Sequence, residues 1–146
     1  MAEASQHFLR LEVVSPDGLV FEGDVAMVIV PAAYGELGIL PRHAPLVASL
    51  SIGEIRIKTL DGAWIEVAVA EGFVKVQNDK VIILADAAEL ASEIDVDRAR
   101  AAVERAQERL AAAKSDAVPE EDEIDLYKET LALARAKNRM KVSGKK

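Results

Sequence analysis

Four arginines form the most chemically suggestive pattern in this chain. Arg98 and Arg105 stand seven residues apart, and Arg135 and Arg139 stand four apart. On helices each pair shares a face, the first with about 10 Å between its members at about 1.5 Å rise per residue. Four guanidiniums converging on one region suit a polyanion, because the planar fork pairs phosphate oxygens two at a time. A solvated basic face would use the same residues. Like charges at i and i+4, such as Arg135 and Arg139, repel by a few tenths of a kcal/mol unless an anion offsets them. Glu104 and Glu108 break the same rule with no phosphate to explain it. Spacing alone leaves both readings open.

A second purposeful stretch covers residues 34–50, where Tyr34, Gly35, Gly38, Pro41, Arg42, His43 and Pro45 interrupt a run of aliphatics. The glycines permit positive φ or close approach, and each proline fixes its own φ and pushes its predecessor toward extended geometry. The expectation is a rigid, irregular crossing between strands. It reads equally as a sheet corner or as a loop that presents polar groups to a partner.

Catalytic chemistry finds little support. With no cysteine there is no disulfide, thiolate zinc site or cysteine nucleophile. His7 and His43 are too few for a metal centre and read as surface or hydrogen-bonded histidines. No glycine-rich phosphate loop followed by Lys-Ser/Thr exists, and no serine sits in a nucleophile elbow. The chain reads as a non-enzyme that requires no cofactor.

These residues must be held by two different kinds of structure. Over residues 1–90 short apolar runs alternate with turn signals, among them Ser15-Pro16-Asp17-Gly18, Gly23-Asp24, Pro31, Gly53, Asp61-Gly62, Glu71-Gly72 and Asn78-Asp79. This predicts an N-terminal β-sandwich or flattened barrel of about ten short strands. Beyond residue 90 alanine, glutamate and arginine take over. Asp95 is a candidate N-cap for a first helix over residues 96–114, and Pro119 marks a connection over residues 115–121. A second helix is expected over residues 122–141. The predicted seams are Ala99, Val103, Ala106, Leu110 and Ala113 on one helix, and Ile124, Tyr127, Leu131, Ala134 and Asn138 on the other. A C-terminal antiparallel two-helix hairpin over residues 91–146 follows, with a seam of mostly small residues.

The 146 residues carry a net charge of -7, which argues against nucleic acid as a partner. Residues 1–90 hold 6 basic and 13 acidic side chains; residues 91–146 hold 12 of each. Within that second part, residues 116–125 hold six acids and no base, and residues 126–146 seven bases and one acid. The N-terminal residues lack the marks of a secretory or transit signal, and no apolar run is long enough to span a bilayer. A soluble, cytoplasmic protein without direct membrane insertion is expected, one that can still dock on a membrane complex.

Several segments taken together resemble the epsilon subunit of bacterial F-type ATP synthases. They are Gly-Glu-Leu-Gly-Ile-Leu-Pro-Arg-His-Ala-Pro-Leu at 35–46, Ser-Ile-Gly-Glu-Ile-Arg-Ile at 51–57, residues 81–86, and Ile94-Asp95-x-x-Arg98-Ala99. The resemblance spans essentially the whole chain. It implies a β-sandwich seated on the gamma subunit and the c-ring, peripheral to the cytoplasmic side of the bacterial inner membrane. Glu36 and His43 align with loop residues that meet the rotor, flanked by Gly35, Leu37, Gly38 and Arg42. Residue 42 is Arg where many relatives have Gly. The resemblance also implies a regulatory hairpin that permits turnover when folded and, when extended, reaches the beta subunit of the catalytic head and restrains ATP hydrolysis. Some members bind ATP on the folded hairpin. By that likeness Ile94, Asp95, Arg98 and Ala99 form the motif, with Glu89, Arg105, Arg135 and Arg139 in support and ATP as a regulatory ligand. The competing expectation is a static assembly adaptor with solvated arginines.

Overall fold

The computed structural model describes residues 7–115 and 121–144. The chain divides into two compact units, Met1–Ala91 and Ser92–Lys146. The first is built from six strands: β1 (Leu9–Ser15), β2 (Gly18–Ala32), β3 (Gly35–Ile39), β4 (Leu46–Thr59), β5 (Trp64–Gln77) and β6 (Lys80–Leu90). They hydrogen-bond in the order β1-β6-β5-β4-β2-β3, and an added β1–β2 pairing closes the sheet. Closure removes the edges of β1 and β2 that would otherwise template aggregation. All neighbours are antiparallel except β1 and β6.

The count is six, not about ten, because several expected breaks are bends inside continuous strands. Gly23-Asp24 lies within β2, whose first half pairs with β1 and whose second half pairs with β3 and β4. Gly53 lies within β4, where a Cβ would come 2.7 Å from Pro31 Cβ. In β5, Glu71 and Gly72 take φ of 63° and 139°, yet the register to β4 and β6 is unchanged on either side. Glycine therefore allows close strand approach here instead of ending a strand. True turns do form at Gly18 and Gly62, both with positive φ.

Alternation along these strands builds the core. Leu9, Leu11 and Val13 of β1, Val28 and Val30 of β2, Ile55 and Ile57 of β4, and Val81 and Ile83 of β6 are fully buried. β-Branched side chains at period two suit this pleated interior.

The second unit contains α1 (Val96–Ser115) and α2 (Glu121–Ser143), packed on one another. Both helices match their expected spans to within two residues. On α1, Ala99 and Ala106 are buried as the predicted seam requires, with Val103 and Leu110 partly buried. On α2 the expected seam residues Leu131, Ala134 and Asn138 are partly buried, and Tyr127 departs from expectation. Tyr127 is 66% exposed, while Ala136 and Ser143 are buried. The buried positions described on α2 are Ala136, Val142 and Ser143, with Leu126, Glu129, Leu131, Leu133, Ala134, Asn138 and Met140 among the partly buried ones. Alanines at 132, 134 and 136 support more than one apolar stripe, so periodicity could not choose between them. The side chains of Ala113 and Ile124, and the connection at 116–120, lie outside the described residues.

Candidate functional sites

The stretch over residues 34–50 is more regular than its composition predicts. Gly35–Ile39 is strand β3, joined to β2 by a turn at Ala33 and Tyr34 and paired in the register Val28↔Ile39 to Ala32↔Gly35. Only residues 40–45 are irregular. Gly35 has φ of 128°, which the tight entry to β3 requires. Tyr34 is fully exposed at the tip. Glu36 points outward and accepts a hydrogen bond from Arg56 Nη2 at 2.8 Å. Leu37 faces the other way and packs on the core, so it supports the loop from beneath. A Cβ on Gly38 would come 3.3 Å from Met27 Cε. Arg42 has φ of 68°, a left-handed conformation that glycine adopts without penalty. Its backbone N–H donates to Asp79 Oδ1 at 2.6 Å. His43 is half-buried, with its N–H on the Leu40 carbonyl and Nδ1 2.7 Å from the Ala44 carbonyl. All six loop candidates thus occupy β3 or the turn that follows, and Leu37 among them serves the core.

On the hairpin, Asp95 caps α1: its carboxylate accepts the Arg98 N–H at 3.0 Å, and its carbonyl accepts the Ala99 N–H. Ile94 and Ala99 are buried on either side. Three of the four motif residues therefore build the helix start, and Arg98 is left exposed. Arg105 and Arg135 are also exposed, and among the described residues neither they nor Arg98 forms an ion pair. Arg109 Nη1 of α1 lies 4.0 Å from Glu129 Oε2 of α2, which puts these two residues at about the same level of the pair. With those two residues level, Arg139 falls opposite Ala99, next to Arg98, and Arg135 falls opposite Val103, between Arg98 and Arg105. Arg139 is half-buried. Glu89 belongs to β6 of the first unit, opposite Ala68.

A third region was not anticipated from the sequence. The outward residues of β4, β5, β6, β1 and β2 align in rows across one face of the closed sheet. One row is Gln77, Lys80, Arg10 and Asp24; the next is Val47, Lys75, Ile82, Glu12 and Glu22. Ion pairs of Arg10 with Glu22 (2.7 Å) and Asp24 (3.4 Å), and of Lys80 with Glu12 (4.0 Å), knit these two rows together. The third row is Ser49, Phe73, Leu84, Val14 and Leu19. It crosses five strands, about 19 Å at about 4.8 Å per strand. Phe73 is 57%, Leu84 56% and Leu19 57% exposed, and Val47 beside them is 69% exposed. A contiguous apolar row beside self-neutralised charge is the usual mark of a protein-binding face. The signal was present in the unbroken apolar run Val81, Ile82, Ile83 and Leu84, too apolar for a strand with one wet face.

Family models match both units. A model of the ATP synthase delta/epsilon chain β-sandwich domain matches residues 8–91, and one of the delta/epsilon chain long α-helix domain matches residues 92–144. The chain belongs to the ATP synthase epsilon-chain family. It is 53% identical over 138 residues to an ATP synthase epsilon chain of Halalkalibacterium halodurans, covering 94% of this chain and 98% of that one. An epsilon chain of Alkalihalophilus pseudofirmus is 55% identical over 137 residues, at the same coverage. The fold is shared with a chain in the Euglena gracilis mitochondrial ATP synthase structure of OSCP, F1 and c-ring, with a TM-score of 0.73 and 21% identity over 91% of this chain and 79% of that chain. Among the described residues no helix of this epsilon-family chain is long and apolar enough to cross a membrane.

Proposed function

We propose that this chain is a non-catalytic central-stalk subunit of an F-type ATP synthase, peripheral to the cytoplasmic face of a bacterial membrane. The observation that carries the reading is the row of Leu19, Val14, Leu84 and Phe73, left open beside ion-paired charge. In this reading the row docks on the gamma subunit. The outward residues Glu36, Arg42 and His43, set by Gly35 and Gly38, meet the c-ring. The sandwich thereby couples the two rotor parts mechanically.

The hairpin supplies regulation. Folded, it leaves catalysis free; extended, its basic C-terminal helix reaches the acidic surface of a beta subunit and restrains hydrolysis. ATP favours the folded state only by binding it better than the extended one. Exposed Arg98, Arg105 and Arg135, together with Arg139, supply cationic forks for the phosphates.

Binding of purified gamma subunit to the full chain tests the docking face. Replacing Phe73 and Leu84 with Thr keeps strand propensity and leaves the fold within about 0.5 kcal/mol, because both side chains are exposed. The double variant is expected to lose about 30-fold or more in affinity, as removal of a central apolar anchor does. Unchanged affinity would remove the row from the interface.

A further inference from the structure

We infer that Asp79 is the positioning residue of the loop at residues 40–45: its carboxylate holds the Pro41–Arg42 peptide in the orientation that a glycine would otherwise have to supply. The His43 N–H donates to the Leu40 carbonyl at 3.2 Å, so residues 40–43 form a four-residue turn. Pro41 fills its second position, and Arg42, with φ of 68°, its third. Proline cannot take positive φ, which leaves type II as the turn with this combination. Such turns normally place glycine or asparagine third. An arginine there bears the left-handed penalty of a residue with a Cβ, and left to itself it prefers the type I turn, in which the same peptide is turned over.

That peptide is the one Asp79 holds. The Arg42 N–H donates to Asp79 Oδ1 at 2.6 Å. In a type I turn this N–H would point away from the carboxylate, so the bond exists in one of the two forms only. A hydrogen bond to a carboxylate is among the stronger ones a protein makes, and here it offsets the strain of one left-handed residue.

Asp79 is itself well placed to do this. Asn78 and Asp79 have φ of 51° and 60°, the two positive values of a type I′ hairpin, and they join β5 to β6 at the pair Gln77↔Lys80. The Asp79 carbonyl accepts the Arg10 N–H at 2.9 Å, which ties the same residue to β1. The loop is therefore hung from a corner where three strands meet. Its turn type decides where the side chains of Arg42 and His43 point. On the reading that this loop meets the c-ring, on which this step rests, Asp79 shapes the docking surface through Arg42 and not by contact of its own.

The test removes the carboxylate and keeps the hairpin. Asp79→Gly takes positive φ freely and retains the carbonyl that Arg10 uses. NMR on the full chain reads the turn through the Pro41 Hα to Arg42 amide contact, strong in type II and weak in type I. The unaltered chain should show a strong contact and a slowly exchanging Arg42 amide, and Asp79→Gly should lose both. Asp79→Asn, whose side-chain oxygen still accepts, should keep the contact. Arg42→Ala removes the side chain, which lies 2.6 Å from His7 Nε2, but keeps the amide, and the contact should stay strong. In Asp79→Gly with Arg42→Gly the contact should return, because glycine holds the left-handed form unaided. A strong contact in Asp79→Gly, or its loss in Arg42→Ala, would overturn the role of Asp79.

Affinity for detergent-solubilised c-ring, measured on the same variants, tests the link to docking. Asp79→Gly should weaken binding about tenfold, the population ratio that the left-handed penalty sets once nothing opposes it, and should cost nothing further when residue 42 is already glycine. An equal loss in both backgrounds would overturn positioning in favour of direct contact by Asp79. A turn that responds as expected, with affinity unchanged in every variant, would overturn the loop reading while the hold of Asp79 on the turn stands.

Discussion

Gly72 and Gly62 both have positive φ, yet they do different work. Gly62 (φ 91°) sits in the open β4–β5 turn, where an added Cβ would meet nothing within 4 Å. Gly72 (φ 139°) lies where β5 bends against β6, and a Cβ there would come 2.2 Å from the Leu84 carbonyl oxygen and 2.8 Å from Ala85 Cα. Both obstacles are backbone, so relief requires separating two strands of the closed sheet. Gly62→Ala is expected to lose about 1 kcal/mol, the strain of an unfavourable φ alone. Gly72→Ala adds a main-chain clash and should lose about 3 kcal/mol or more. Urea denaturation of the two variants checks this, and equal losses would remove close strand approach as the reason for Gly72. Glu71-Gly72 was visible in the sequence as punctuation. What it punctuates was not, because a glycine that ends a strand and one that lets two strands touch look alike in one dimension.

At the scale of elements, local chemistry was legible and long-range register was not. Asp95 was recognisable as a cap, and it does hold the Arg98 N–H. Asp95→Ala should destabilise the hairpin by about 1 kcal/mol, read as lower helicity by circular dichroism and melting of that unit at a lower temperature. Asp61 offers a pH readout for the other unit. Its carboxyl is held below its ordinary value of 3.8, first by a hydrogen bond from the Thr59 hydroxyl and then by backbone N–H groups of Ala63 and of Asp61 itself. A lowered folded pKa means the β4–β5 turn keeps this contribution at neutral pH and loses it as pH falls through that lowered value. Carboxyl NMR should place the Asp61 midpoint below 3.8, and Thr59→Val should move it up toward that value. On α2 the seam was misread at Tyr127, because choosing among overlapping apolar stripes needs the partner helix. Tyr127 carries the volume of a core residue but stands in solvent.

For the whole molecule, the two-part plan was readable from the change in composition near residue 90. The exposed apolar row was not, since a row spanning β5, β6, β1 and β2 exists only once distant strands are placed side by side. The plan gives the hairpin a specific energetic character. Alanine at the seam positions Ala99, Ala106 and Ala136 buries about three fewer carbons than leucine would, so each contributes about 2.4 kcal/mol less at about 0.8 kcal/mol per CH2. A hairpin held this weakly can be shifted by a ligand, and the size of the shift is set by the ligand's preference for the folded form. Two consequences follow on the proposed function. An ATP synthase complex carrying this chain cut after Ala91 should hydrolyse ATP several-fold faster than the intact complex, while assembly persists because the sandwich core is self-contained. In the isolated full chain, ATP should bind saturably and stabilise the hairpin against melting, and Arg98→Ala with Arg135→Ala should abolish both effects, since among the described residues neither guanidinium is tied up in an ion pair. Faster hydrolysis without ATP binding would keep the hairpin as a brake and discard the sensor. Unchanged hydrolysis would leave the hairpin as a brace, with its alanine seam reflecting close helix packing and nothing more.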